Sequence, residues 1–175
     1  MEQPYLSQHQ TPRLNIRPLT LADATAWEDF FTDNENLRFF VLNPKSLPAE
    51  KAKLWLEWQL KRYRENRYGL LALESKETGE LVGMAGLLTQ ELDGLPELEI
   101  GYHLLPQYWG NGYATEAARF FKAFVRQNNL ADSVVSIIHV ENLRSQNVAV
   151  RNGMERGPKT EFQGKPVYIY RTPLQ

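Results

Sequence analysis

The chain contains no cysteine. That absence removes disulfides, thiolate metal sites and a cysteine nucleophile. An excess of one charge is also lacking: 20 Lys and Arg stand against 21 Asp and Glu, a formal net charge of −1. Such a balance supplies no overall basic surface for nucleic acid. No apolar run is long enough to span a bilayer. The opening Met1-Glu2-Gln3-Pro4-Tyr5-Leu6-Ser7-Gln8 has neither the basic start nor the apolar stretch of a signal peptide. There is no P-loop, no metal-ligand cluster and no Ser-His-Asp signature. The expectation is a cytoplasmic protein without a metal, a membrane or a nucleic acid as partner.

What is present points to one globular domain. The 175 residues are 42% hydrophobic and 23% charged, enough for a sizeable core. Residues 1–11 read as a flexible polar arm, and 12–175 as the domain. Arg13-Leu14-Asn15-Ile16-Arg17-Pro18 alternates as a first strand. Thr20 is placed to cap a helix over Leu21 to Phe31, and Pro48 suits the first turn of a longer helix ending near Asn66. Tyr68 to Glu74 and Leu81 to Thr89 form a hairpin around Gly79, and Asp93-Gly94 turns the chain into a strand over Glu97 to Leu105. A helix follows from Gly112 to Gln127, then a β-branched strand over Ser133 to Val140. A short helix from Leu143 to Asn152 closes at Gly153, and a last hairpin turns at Gln163-Gly164. The pattern predicts a mixed α/β fold: a mostly antiparallel central sheet flanked by about four helices. The step from strand 97–105 through a helix to strand 133–140 is a βαβ unit and predicts one parallel pair.

The most informative stretch is Leu98 to Ala117. It reads as a strand, a glycine-bearing turn and the start of an amphipathic helix. Helix N-termini present unpaired N–H groups and the positive end of the dipole, and glycine lets the backbone come close to an anion. A phosphate-bearing ligand is therefore expected near Gly110 to Thr115. A turn of this kind taken alone is equally an ordinary helix entry.

The segment Pro106-Gln107-Tyr108-Trp109-Gly110-Asn111-Gly112-Tyr113-Ala114-Thr115-Glu116-Ala117 is joined by a second, Asn142-Leu143-Arg144-Ser145 running on to Gly153-Met154. In this order and spacing the chain resembles the GNAT superfamily of acetyltransferases, and within it the RimJ/RimL type. The resemblance spans nearly the whole chain. It implies a single GNAT-like domain, acetyl-CoA as co-substrate with its βαβ step at the cofactor site, and a primary amine acceptor, either a protein N-terminus or a small molecule. Homodimers are compatible with the family, and no segment here specifies one. The family pattern Gln/Arg-x-x-Gly-x-Gly/Ala fits two registers. Gln107-x-x-Gly110-x-Gly112 matches by letter; Trp109-x-x-Gly112-x-Ala114 matches by distance from Pro106, and the latter is preferred. The resemblance then assigns the pyrophosphate to amides from Gly110 through Asn111, Gly112, Tyr113 and Ala114 to Thr115. It assigns the pantetheine arm to the backbone of Tyr102, His103 and Leu104, with Asn142 bonding the same arm. Amides near His103 and Leu104 are expected to steady the oxyanion.

Two residues used for proton transfer in relatives are replaced. The tyrosine donor corresponds to Ala149, and a strand glutamate base to Ile137. The RimJ/RimL type instead implies Ser145 as donor to the leaving sulfur, and Glu99 is the candidate base. Each has a plainer reading. Asn142 is well placed as an N-cap with Ser145 in the first helical turn. Glu99 alternates with Leu98 and Ile100 and shares a face with Gly101 and His103; on a solvated face it is only an exposed carboxylate. His103 and His139 are equally readable as structural histidines. Two other functions use the same features. Gly110-x-Gly112-x-x-Thr115 is a degenerate dinucleotide fingerprint, but it lacks the third glycine and follows a meander. A non-catalytic acyl-CoA-binding module would account for the replaced tyrosine and glutamate.

Overall fold

Residues 4–175 are described by a computed structural model of the chain. The chain runs β1 (His9–Gln10), β2 (Leu14–Arg17), α1 (Ala24–Trp27), α2 (Pro48–Arg64), β3 (Leu70–Ser75), β4 (Leu81–Leu92) and β5 (Leu95–Leu104). It continues through α3 (Tyr113–Gln127), β6 (Ser133–His139), α4 (Leu143–Arg151), β7 (Glu155–Phe162) and β8 (Lys165–Pro173). The strands form one sheet in the order β1-β2-β3-β4-β5-β6-β8-β7. Every neighbouring pair is antiparallel except β5–β6. This is the mixed sheet with one parallel step that alternation and the βαβ spacing predict. Among the described residues, no helix is long and apolar enough to cross a membrane.

Period-two alternation gives the sheet two apolar faces, and each is covered by helices. Ile100 and Leu104 of β5 pack with Ala117, Phe121 and Val125 of α3 and with Ala149 of α4. On the other face, Met84 of β4 packs with Trp27, Phe30, Ala52 and Leu56. The Asp93-Gly94 turn has positive φ at both residues, 52° and 76°, the geometry of a tight hairpin whose twist matches its strands. That match extends the β4–β5 ladder from Leu92–Leu95 to Gly83–Leu104. Asn142 caps α4 by accepting from the Ser145 amide at 3.2 Å.

Two segments depart from the sequence reading. The helix expected over residues 21–31 is three short pieces: 3-10 turns at Leu21–Asp23 and Glu28–Phe31 flank α1. Three residues per turn bring positions three apart onto one side. Trp27 and Phe30 accordingly stack at 4.4 Å, and both pack against Trp55 of α2. Aromatic packing outweighs the regular helix here.

The second departure is the arm expected over residues 1–11. Its residues 1–3 lie outside the described residues, and from Pro4 onward the segment is built into the fold. Tyr5 is 2% exposed, and β1 pairs with β2. The Tyr5 hydroxyl donates to the Gly69 carbonyl at 2.5 Å and accepts from the Leu87 amide at 2.8 Å. One buried side chain thus bonds a main-chain carbonyl just before β3 and a main-chain amide of β4. We expect Tyr5→Phe to remove both bonds and to cost about 1–3 kcal/mol. Equilibrium denaturation in urea checks this, and an unchanged midpoint refutes it.

Candidate active site

Strands β5 and β6 are parallel, and their ladder is a single paired position, Glu99 opposite Val135. One residue further along, the Ser136 hydroxyl donates to the Ile100 carbonyl at 2.8 Å, a side chain in place of a ladder bond. Beyond it the strands part. The other edge of β5 stays paired with β4, and the Leu105 amide donates to the Val82 carbonyl at 3.0 Å. Strand alternation then turns the main-chain groups of Gly101 and His103 toward β4, and those of Tyr102 and Leu104 toward the gap. The His103 amide is therefore committed to β4. Of the two amides expected to meet an oxyanion, only that of Leu104 faces the gap. The Leu104 carbonyl accepts the Trp109 indole N–H at 3.0 Å, which fixes the tryptophan against the strand end.

A 3-10 turn at Pro106–Tyr108 carries the chain into the glycine loop. Gly110 and Gly112 both have φ of +79°, a left-handed conformation that costs other residues energy. Gly112 is the N-cap of α3 and offers no side chain, and the first helical bond is Glu116 N–H to the Gly112 carbonyl at 3.0 Å. The amides of Tyr113, Ala114 and Thr115 precede it and have no partner within the helix. Asn111 does not line the adjoining cavity with its side chain; it donates to the Tyr108 and Trp109 carbonyls and braces the loop. Tyr113 likewise turns away, beneath the Arg13 guanidinium at 4.5 Å from its ring. Arg13 also donates to the Asn111 carbonyl at 2.8 Å and to Glu116 at 2.7 Å. The loop is thus fastened to β2 from outside.

Two cavities open on the gap. One, of about 280 Å3, is walled by Leu104, Trp109, Gly110, Gly112, Ala114 and Thr115 on one side and by α4 on the other. The second, of about 250 Å3, lies on the α2 face and holds Gln90, Glu99, Ile137 and His139. Both are lined by Phe40, Tyr102, His103, Asn142 and Ser145, so they lie side by side there. The Tyr102 hydroxyl crosses the gap and donates to the Ser145 carbonyl at 2.9 Å, tying β5 to α4 at this junction. Burial raises the Tyr102 pKa, so the phenol stays protonated. Ala149 is fully buried in the core, and Ile137 lines the second cavity.

Glu99 is buried, at 9% exposure, rather than solvated. Burial raises its pKa, while a bond from Gln90 at 2.7 Å and the Ile137 amide oppose that rise. His103 is held among Phe30, Phe40 and Trp55, and burial pushes its pKa down to about 4. It is a neutral imidazole at pH 7. Among the described residues, no group of three His, Asp or Glu side chains could hold a metal ion.

Several residues at the site carry no local sequence signal. Glu35 forms an ion pair with Arg144, whose guanidinium lies 4.5 Å over the Trp109 ring. Phe39 stacks on His139 at 4.7 Å. The 3-10 turn Glu35–Phe39 therefore closes over both cavities. Arg13 and Arg144 meet partners about a hundred residues away, and nothing near them in the chain announces it. Gln90 was within reach of sequence reasoning. The Asp93-Gly94 turn sets Gln90 opposite Glu97, diagonal to Glu99.

Comparison with known proteins agrees with this geometry. Residues 13–155 match the model of the acetyltransferase (GNAT) domain. The chain is 28% identical over 162 residues to the uncharacterized protein YkkB of Bacillus subtilis, covering 91% of this chain and 92% of that one. The crystal structure of an acetyltransferase from Agrobacterium tumefaciens superposes with a TM-score of 0.76 at 29% identity, covering 98% of each chain. The fold is also that of RimL, a ribosomal L7/L12 α-N-protein acetyltransferase solved with coenzyme A, with a TM-score of 0.75 at 15% identity over 95% of this chain and 98% of that one. With its parted parallel strands, glycine loop and capped α4, the chain belongs to the GNAT family of acetyltransferases, enzymes that move an acetyl group from acetyl-CoA to an amine.

Proposed function

We propose that the protein transfers acetyl from acetyl-CoA directly to a primary amine, an N-terminal α-amino group or a small-molecule amine, with both substrates bound at once. The observation that carries this reading is the adjacency of two cavities at Tyr102, His103, Asn142 and Ser145. Direct attack needs donor and acceptor held in contact with no wall between them.

The first cavity suits acetyl-CoA. The amides of Gly110 to Thr115, at the positive end of α3, hold the pyrophosphate. The free edge of β5 at Tyr102 and Leu104 takes the pantetheine arm as an added strand, with His103 and Trp109 beside it. The Asn142 Oδ1 is used by the helix cap, which leaves its Nδ2 to donate to the same arm. RimL, which shares the fold, was solved with coenzyme A.

The second cavity suits the acceptor. An α-amino group has a pKa of about 8 and must lose a proton to attack. Glu99 accepts that proton through water. Gly101, between Glu99 and His103 on the strand, has no side chain to block the path. The Leu104 amide donates to the carbonyl oxygen as negative charge develops there. As the C–N bond forms and the C–S bond breaks, the Ser145 hydroxyl donates to the departing sulfur. The thiol pKa of about 8.5 makes that help modest. Neutral His103 adds no positive charge against the incoming amine.

Thermal unfolding with acetyl-CoA tests the reading. A ligand at 100 times its Kd stabilises the native state by about 2.7 kcal/mol, so acetyl-CoA and CoA should raise the midpoint and NADPH should not. Free-thiol release across a panel of amines then identifies the acceptor. Ser145→Ala is expected to lower kcat about tenfold while changing KM for acetyl-CoA little. A kcat equal to wild type, measured where chemistry limits the rate, removes Ser145 from the mechanism.

Glu99 must be ionised to act as a base, so activity should fall as pH drops through its pKa. Burial raises that pKa, which places the acid limb of kcat/KM above the ordinary glutamate range. Glu99→Gln should abolish this limb. A variant with the wild-type profile would show that another group sets it.

A further inference from the structure

The second cavity carries opposite charge on its two sides. On the β5 side stands Glu99, bonded to Gln90 and to the Ile137 amide. On the other side the β7–β8 hairpin and the end of the Glu35–Phe39 turn close it, with Phe39, His139, Gln163 and Lys165 in its wall. Glu99 serves the incoming amine; the basic side has no part in the transfer itself.

Lys165 is the centre of that basic side. Its Nζ donates to the Arg38 carbonyl at 3.3 Å, which ties the hairpin to the turn and uses one of three N–H donors. The Arg38 guanidinium lies 4.9 Å over the Phe39 ring, and Phe39 stacks on His139. The His139 Nδ1 accepts from the Glu141 amide at 3.1 Å, so the neutral imidazole carries its proton on Nε2, as a donor. Burial first, and then the charges of Lys165 and Arg38, hold the His139 pKa down against the pull of Glu141. Among the described residues, none of the ion pairs uses Arg38 or Lys165. Glu35, on the same turn, feels the Arg38 charge but is held by Arg144. Two cations without an ion-pair partner, beside an N–H donor at a cavity wall, make a seat for an anion.

We propose that the acceptor is a primary amine whose own molecule carries a carboxylate several bonds away, and that Lys165, backed by Arg38 and His139, binds that carboxylate. The proposal rests on the acetyltransferase reading of this cavity. Lys165 belongs to β8, which lies two strand positions from β5 in the sheet. At about 4.8 Å per position, the two strands are roughly 10 Å apart. The carboxylate of a free α-amino acid is two bonds from its amine and cannot serve both sides. A peptide N-terminus with an acidic side chain at its second residue reaches that far, since an extended residue adds up to about 3.6 Å before the side chain begins. A long ω-amino acid reaches it as well.

The test measures kcat/KM for thiol release from acetyl-CoA with two matched pairs of acceptors. One pair is the C-terminally amidated peptides Ser-Glu-Ala-Ala and Ser-Gln-Ala-Ala; the other is ω-aminohexanoate and hexylamine. Wild type should prefer the acid about five- to tenfold in at least one pair, chiefly through KM, with the preference shrinking as salt is added. The pair that shows it identifies the source of the acceptor. Lys165→Met keeps the apolar stem without the charge and should bring the ratio to about one. Lys165→Glu should reverse it. Matching melting midpoints and an unchanged calorimetric affinity for acetyl-CoA establish that both variants are folded. Equal use of acid and neutral acceptor in both pairs by wild type, or a preference that survives in Lys165→Glu, overturns the proposal and leaves the acetyltransferase reading intact. Transfer to other amines but to none of these four does the same. Absence of transfer to every amine overturns both.

Discussion

Everything at this site depends on β5 and β6 touching at one point and then separating. A strand inside a sheet normally spends its main-chain groups on both neighbours, because an unpaired buried N–H or C=O is costly. Here β5 is fully paired with β4 along one edge, while its other edge meets β6 only at Glu99 and through Ser136. Tyr102 and Leu104 therefore present main-chain groups to a gap. An amide-bearing ligand arm can complete that edge as another strand does, without any dedicated side chain. The parting also leaves room for α3 and α4 to approach from one face while the second cavity opens on the other.

Chemistry follows from what is fixed around the gap. The glycine loop is not self-supporting: Asn111 braces it from within, and Arg13 fastens it to β2 from outside, with Glu116 orienting the guanidinium. Tyr102 spans the gap to Ser145, and Asn142 caps the same helix, so the first turn of α4 is tied to β5. Burial sets the charges. It keeps His103 neutral and raises the Glu99 pKa, against the opposing pull of the Gln90 bond, the Ile137 amide and the Arg62 charge.

The Glu35–Phe39 turn gives this arrangement a cover. Its ion pair with Arg144, the stacking of Arg144 on Trp109 and the Phe39–His139 contact join a segment near the N-terminus to both cavities. Exposed ion pairs of this kind contribute little to stability. Such a cover costs little to open, which suits a cleft that two substrates must enter.

The sequence by itself determined the strands, the helices and the glycine loop, because their causes are local. Alternation marks β2, a β-branched run marks β6, Asp93-Gly94 and Gln163-Gly164 mark tight turns through residues that tolerate positive φ, and Asn142 marks a helix start. The parallel step was legible from the helix between its two strands. Tertiary structure alone decided which of those residues meet. Tyr5 reads as part of a polar arm, yet it is buried, with its hydroxyl bonded to the Gly69 carbonyl and the Leu87 amide. The 21–31 segment reads as one helix, yet it breaks so that Trp27 and Phe30 can stack. Glu99 reads as a strand carboxylate of either face, and only the packing of α2 and Gln90 made it a buried one. Backbone preference acts over a few residues and is written in the sequence; burial and charge pairing act between segments a hundred residues apart and exist only once the chain has folded.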